Sequence, residues 1–442
     1  MRRAFFTEAV PSASLRVFRF GFGLLMAIAL VRLHLTGWTS PLFLEPTFRF
    51  EYALFSWVPP IPKALVVPCI FAGAAGALAL GFGRAWVRRA GGALFLVCFS
   101  WLKLFDVTNY LNHDYLAVLL ASLLTVLPVD GASIPRWVLR LVRFQVGVVY
   151  VHAGLAKINT DWLLEAQPLT TWFSANRGLP VIGGLLGLPG VPQVASVLSC
   201  VYDCTIVAWL SIRRTRPYAF AAVLTFHGLT HALFDIGIFP FLMTLAATVF
   251  FDAARPRRWG GFLESPSPVV TWAPSVKTSA FAVAPARVLG VSAVVGYVLF
   301  QALFPLRSHV MGNDVLWDEV GMRWSWRVMV REKNGSVTFR ARVEERVVEV
   351  PVSETLLPRQ ANEMSGQPDL IVQLAQHLGR ALETKTGKPV AVFVDAWVSL
   401  NGRPPRRLFN PEVDLMTLSS DELTAALLPS PRLSTPAQVA RW

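Results

Sequence analysis

From about residue 15 to residue 305 the chain is a succession of long apolar runs separated by short polar stretches, and beyond that the segments become shorter and alternate. A bilayer core takes about 20 consecutive apolar residues per helix. On that measure the runs predict spans near 15–35, 62–83, 90–108, 113–129, 137–157, 194–212, 217–233, 236–251 and 287–305, with 113–129 and 236–251 the shortest. After Pro305 the pattern is that of a water-soluble domain. Residues 325–331 and 337–350 alternate as strands do, 370–382 repeats with helical period, and 389–400 reads as a strongly apolar strand. The expected fold is a polytopic α-helical membrane bundle of about nine spans followed by a small α+β extracytoplasmic domain. The boundaries are 14–306 for the transmembrane domain, 307–428 for the outer domain and 429–442 for a disordered tail.

Composition agrees with the pattern. Hydrophobic residues make up 54% of the 442 and charged residues 16%, against roughly half and a quarter in globular domains. An ordinary soluble enzyme is excluded. The net charge of +13 does not point to nucleic acid, because the basic residues are arginines spread in short clusters rather than one patch. Those clusters fall at Arg2 and Arg3, at Arg84, Arg88 and Arg89, at Arg136, Arg140 and Arg143, at Arg213, Arg214 and Arg216, and at Arg255, Arg257 and Arg258. Every second connection therefore carries one. By the positive-inside rule the N-terminus is cytoplasmic, and nine spans then place the outer domain in the periplasm. The excess of Arg over Lys, with much Ala, fits a GC-rich bacterial genome, so the expected location is a bacterial inner membrane. The first run lacks a small-residue cleavage site and reads as a retained helix, not a signal peptide. Residues 259–286, rich in Pro, Ser and Ala, read as a cytoplasmic linker. Cys69, Cys98, Cys200 and Cys204 all lie in apolar runs and read as buried small side chains, with no disulfide framework.

Ionisable groups inside apolar runs are expensive, so each is a functional hypothesis. Three polar stretches lie at the outer ends of the runs: Asp106 to Tyr115, His152 to Trp162, and Phe226 to Pro240. Lys157 has two readings. It either snorkels to the interface and neutralises a helix C-terminus, or sits dehydrated, where the neutral amine is favoured and can take a proton from a phenol. His227 and His231 have the spacing of two metal ligands on one helix face, but no Glu follows in the zinc-protease pattern and no carboxylate cluster accompanies them. No metal site is expected. Lys103 and Asp106 read as an ion pair near the outer interface. No phosphate loop, dinucleotide fingerprint or serine-nucleophile motif is present.

Five stretches carry a resemblance: Asn112-His113, Gly154-Leu-Ala-Lys157-Ile-Asn-Thr-Asp161-Trp162, Phe226-His227 with Phe234-Asp-Ile-Gly237-Ile-Phe239, Trp324-Ser325-Trp326, and Asp395-Ala-Trp397-Val-Ser-Leu-Asn401. They resemble the vitamin K-dependent gamma-carboxylase family, in its bacterial, horizontally transferred transmembrane domain form, over about Ser14 to Leu415. The resemblance implies a lyase-class membrane enzyme that couples epoxidation of a reduced vitamin K, a menaquinol- or phylloquinol-type hydroquinone, to carboxylation of peptide glutamate, with O2 and CO2 as co-substrates. It implies Lys157 as the base that deprotonates the hydroquinone. The strongly basic alkoxide formed with O2 then removes a γ-hydrogen from glutamate. His113 is implied as the other catalytic residue, Asn112 and His227 as hydroquinone-binding, and Trp326, Asp161 and Trp162 as the substrate region. The partners implied are the lipid bilayer and a secreted glutamate-containing peptide. Ala156 stands where animal members carry a second lysine. The alternatives are a quinol epoxidase without peptide carboxylation, and a non-catalytic membrane maturation factor in which Lys157 only anchors a helix end.

Overall fold

The computed structural model describes residues 8–252, 285–419 and 422–432. Its first part is a helical bundle: α1 (Ala13–Leu35), α2 (Lys63–Phe82), α3 (Ala85–Lys103), α4 (Asn112–Val126), α5 (Arg136–Lys157), the short helices α6 (Thr160–Leu163), α7 (Leu169–Ala175) and α8 (Gly183–Leu186), then α9 (Val191–Ser211), α10 (Arg216–Leu233), α11 (Phe239–Ala247) and α12 (Pro285–Leu303). A helix thus stands at every position where an apolar run predicts one. By length and apolarity five segments qualify as membrane spans among the described residues: Ala13–Leu35, Lys63–Phe82, Arg136–Lys157, Val191–Ser211 and Gly290–His309. Asn112–Val126 and Phe239–Phe250 are apolar but shorter. The expected count of nine is therefore matched in helices but not in qualifying spans; α3, for one, carries Arg88, Arg89 and Lys103 along its length. The expected linker at 259–286 lies outside the described residues except where Pro285 opens α12.

The outward faces stay apolar, as a lipid-facing surface requires. Leu24 and Ile28 on α1, Leu65, Phe71 and Leu78 on α2, and Val194, Val197, Leu198 and Val201 on α9 are all exposed. Cys204 is exposed as well, while Cys69, Cys98 and Cys200 are buried, so one of the four cysteines departs from the expected burial. Inside, α1 and α2 meet closely at Gly23, where a Cβ would fall 2.5 Å from the Ala77 carbonyl oxygen.

At the end of the bundle opposite Lys157, arginines close helices. The last carbonyls of a helix have no partner within it. Arg88 donates to the carbonyls of Leu124, Thr125 and Leu127 at the end of α4, and forms a two-pronged pair with Asp130 at 2.7 and 2.8 Å. Arg143 serves the carbonyls of Val249, Phe250 and Phe251 after α11. Arg216 serves those of Leu210 and Ser211 at the end of α9. Three of the five arginine clusters thus each supply a helix cap.

The second part is a four-stranded antiparallel sheet of order β4-β3-β5-β6, after a short antiparallel pair β1 (Ala9–Pro11) and β2 (Ser133–Pro135) in the bundle. Its strands are β3 (Lys333–Val343), β4 (Arg346–Val350), β5 (Val390–Leu400) and β6 (Arg406–Arg407), with α13 (Pro358–Ser365) and α14 (Pro368–Thr386) between β4 and β5. Alternate residues of β5 from Val390 to Leu400 face the core, where they pack with Leu370, Ile371, Leu374 and Leu378 of α14.

Two expectations fail here. Residues 325–331 form no strand; Trp324, Trp326 and Met329 have positive φ, and the segment turns to wedge Trp326 into the core of the bundle, where it is fully buried. The tail expected from 429 holds its place through Arg432, because Asp314 and Asp161 draw it in: Ser430 donates to Asp314 at 2.6 Å and Arg432 pairs with both carboxylates. Residues 433–442 lie outside the described residues.

Removing the Arg88 guanidinium leaves several carbonyls at the end of α4 without a donor, while the exposed Asp130 carboxylate turns to water. Arg88→Met is expected to cost about 1–3 kcal/mol of stability, read as a lowered midpoint of thermal unfolding in detergent micelles; an unchanged midpoint would show the cap to be dispensable.

Candidate functional site

The helix α5 stops at Lys157 because Ile158 leaves helical geometry, and Asn159 then caps α6 by accepting from the Trp162 backbone N–H at 3.1 Å. Side chains on a helix lean back toward its N-terminus, which carries the Lys157 amine to the level of Gly154. There α5 and α9 approach so closely that a Cβ on Gly154 would lie 2.9 Å from the Cys204 backbone nitrogen. That approach brings Asp203 within reach: Lys157 Nζ donates to Asp203 Oδ2 at 2.7 Å, with Lys157 5% and Asp203 4% exposed. Asp203 lies twelve residues into α9, about 18 Å along its axis, so the pair sits well below the helix start. Trp162 closes it from above, with its ring 5.1 Å from Nζ and its indole N–H donating to the Ser196 carbonyl at 2.8 Å. Lys157 neither snorkels to water nor sits alone in an apolar niche. It is half of a buried ion pair.

Seven residues earlier on α5, Tyr150 hydrogen-bonds His227 Nε2 of α10 at 3.0 Å. The ring of Tyr202, next to Asp203, stands edge-on to Tyr150 at 5.9 Å. Phe239 lies between two imidazoles, His227 at 6.1 Å and His113 at 6.0 Å between ring centres. The His227 Nδ1 is buried without a hydrogen-bond partner. At the start of α4, His113 Nε2 is 4.0 Å from Asp114, and Asp114 pairs with Lys103 at 2.9 Å. Lys103 therefore does not pair with Asp106, which is held by Thr108 and by Gln360 of α13 at 2.7 Å.

Asn112 is occupied on both sides: its amide oxygen accepts from Tyr110, and its amide nitrogen donates to the Arg327 carbonyl. It ties bundle to outer domain, with one amide N–H and one oxygen lone pair still unused by these two bonds. Lys157 turns to α9 and makes no hydrogen bond to His113 among the described residues. His231 packs on Phe241, away from His227. Among the described residues no three His, Cys, Asp or Glu side chains converge as metal ligands would. Two clefts, ≈ 410 Å³ beside Phe43, Phe48 and Lys63 and ≈ 270 Å³ beside Asp314 and Ser430, are lined by none of Lys157, His113 or His227.

Asp161 and Trp326, the residues of the expected substrate region, join the two parts. Asp161 is 1% exposed. It accepts from Asn401 at 2.7 Å, from both Arg403 Nη atoms at 2.8 and 2.9 Å, and from Arg432 at 3.0 Å. With those donors in place its oxygens have nothing left to offer a ligand. Trp326 stacks on Tyr115 of α4 at 4.9 Å. Trp172 donates to Glu332 at 2.5 Å, and the Trp324 backbone N–H donates to the Tyr110 hydroxyl at 2.7 Å.

Residues 7–254 match the family model of the HTTM domain, and residues 286–429 match the lumenal domain of vitamin K-dependent gamma-carboxylase. The chain belongs to the vitamin K-dependent gamma-carboxylase family. No solved structure matches it. The second match begins with α12, a helix that belongs to a candidate membrane span, so it takes in the last bundle helix as well as the sheet domain. In this member of the gamma-carboxylase family the position before Lys157, Ala156, is buried among apolar residues of the outer domain's core. Asp203 and Tyr150 are the site residues that sequence reasoning misses. A lone carboxylate inside the run 194–212 is the sign that points to the first; nothing in the sequence separates Tyr150 from any other helix aromatic.

Burial alone would raise the Asp161 pKa, but the hydrogen bonds from Arg403 and Asn401 and the charge of Arg432 hold it below its ordinary 3.8. A carboxylate depressed in the folded state stabilises above its unfolded value and loses that contribution as pH falls through the folded one. The outer domain is expected to stay docked from neutrality down to the ordinary 3.8 of that carboxyl and to loosen below it. Hydrogen exchange at Asn401 and Arg403 across that range measures this, and in Asp161→Asn the acid step should vanish.

Proposed function

We propose that the protein is a gamma-glutamyl carboxylase-type membrane enzyme that couples epoxidation of a reduced vitamin K to CO2 addition at peptide glutamate. The observation that carries this reading is the buried amine of Lys157, roofed by Trp162 and held under a docked outer domain. A lipid-borne hydroquinone comes from the bilayer and a peptide from water, so such a site belongs at their shared boundary. The residues fit the hydroquinone: His227 has a buried ring nitrogen without a partner, and aromatic walls surround it in Phe226, Tyr202 and Phe239. His227 would hold the hydroquinone against Phe239, with His113 on the other side of that ring. When bound, the hydroquinone supplies the reducing power that O2 consumes; hydroquinone, O2, CO2 and a glutamate side chain become epoxide, γ-carboxyglutamate and water. Lys157 takes the hydroquinone proton, and the close packing of α5 on α9 keeps water from it.

The arginine caps lie at one end of the bundle and Lys157 with the outer domain at the other. This supports an N-terminus in the cytoplasm and an outer domain on the far side of the membrane; the partner in this reading is a secreted glutamate-containing peptide, the membrane a bacterial inner membrane, and nucleic acid has no part.

Purified protein supplied with a reduced naphthoquinone, O2, labelled bicarbonate and a glutamyl peptide is expected to form epoxide and label the peptide. Epoxide without label would cut the reading back to a quinol epoxidase. Neither product, from protein with a native melting curve, would favour a non-catalytic maturation factor. Lys157→Arg keeps the pair with Asp203 but not a base, so it should melt normally while epoxidation falls by about 10²–10⁴-fold.

A further inference from the structure

An ammonium has three donors and no lone pair. Lys157, paired with Asp203 at 2.7 Å, therefore cannot accept a proton while it carries its own. The pair accepts one only if the lysine hands one on. The sole side chain that ion-pairs or hydrogen-bonds Lys157 among the described residues is Asp203, already aligned as acceptor. A purely structural role is poorly motivated, because a buried ion pair adds little over an apolar pair of similar volume. The surroundings would suit such an apolar pair, with Cys200 and Ile206 buried on the same helix. Gly154 and Trp162 meanwhile spend packing and a hydrogen bond to keep the two groups together.

We propose that Asp203 is the proton store of the site, with Lys157 relaying to it. This rests on the reading of Lys157 as the group facing the hydroquinone. The hydroquinone O–H bond breaks and its electron pair stays on oxygen; one N–H bond forms on Lys157 as another breaks, and an O–H bond forms on Asp203. The lysine remains an ammonium throughout. Negative charge moves from the carboxylate to the hydroquinone oxygen, where the same ammonium meets it in a charge-assisted hydrogen bond. Asp203 acts through Lys157 and is a positioning and accepting partner, not a substrate contact.

The test is steady-state epoxidation with Asp203→Asn and Asp203→Glu beside Lys157→Arg, each checked by its melting curve. Asp203→Asn keeps the size but not the acceptor, so kcat is expected to fall by about 10²-fold or more while KM for the hydroquinone stays within about threefold. Asp203→Glu should recover activity to within about tenfold of the native enzyme. Two protons move together, so the rate in mixtures of H2O and D2O should curve with deuterium fraction. That measurement needs no variant, and a straight line overturns the proposal even if Asp203→Asn fails to fold. Asp203→Asn turning over like the native protein also overturns it, as does Asp203→Glu that melts normally and is as inactive as Asp203→Asn. Should Lys157→Arg remain active, the reading of Lys157 as base has failed; should it be inactive while Asp203→Asn is active, only the proton store has.

Discussion

An amine and a carboxylate held 2.7 Å apart in a dry, apolar place set the terms for everything around them. Taking two charges from water costs several kcal/mol per ion, so the surrounding structure must hold them together without slack. Gly154 lets two helix backbones approach far enough for the bond to form, and Trp162 covers it. The short helices after α5 exist in this arrangement as a roof. Remove the close approach of α5 and α9, and the same two residues become isolated charges that the interior cannot accommodate.

The outer domain is bound to the bundle by groups that continue that roof. Asp161, the neighbour of Trp162, receives donors from Asn401, Arg403 and Arg432. Trp326 enters the bundle as a core residue in its own right. The contacts that hold the outer domain and the cover over Lys157 are thereby made by consecutive residues. A change at Arg403, far along the chain, reaches the buried amine by two contacts.

Apolar runs show in the sequence wherever helices lie, because a lipid-facing or bundle-facing helix must be apolar along its whole length. They do not show which faces meet. Lys157 stands out as a charge at a helix end, but its partner is averaged away inside the run 194–212. Lys103 has Asp106 three residues off and Asp114 across a turn; only the fold decides for Asp114. Alternation at 325–331 looks like a strand because Trp324 and Trp326 flank a serine, yet both take positive φ to fit the wedge. Arg432 lies in a stretch whose composition suggests disorder. Two distant carboxylates give it a place, and no local pattern encodes them.

The inner arginines have a consequence for how such a protein can change over time. Arg88, Arg143 and Arg216 belong to the clusters on which the positive-inside expectation rests, and the same guanidiniums finish helices that would otherwise end on bare carbonyls. A lineage that drifted toward the inverted orientation would have to shed these residues and so unravel the ends of its own helices. Any orientation these arginines specify would thus be protected by folding as well as by the charge bias of the bilayer.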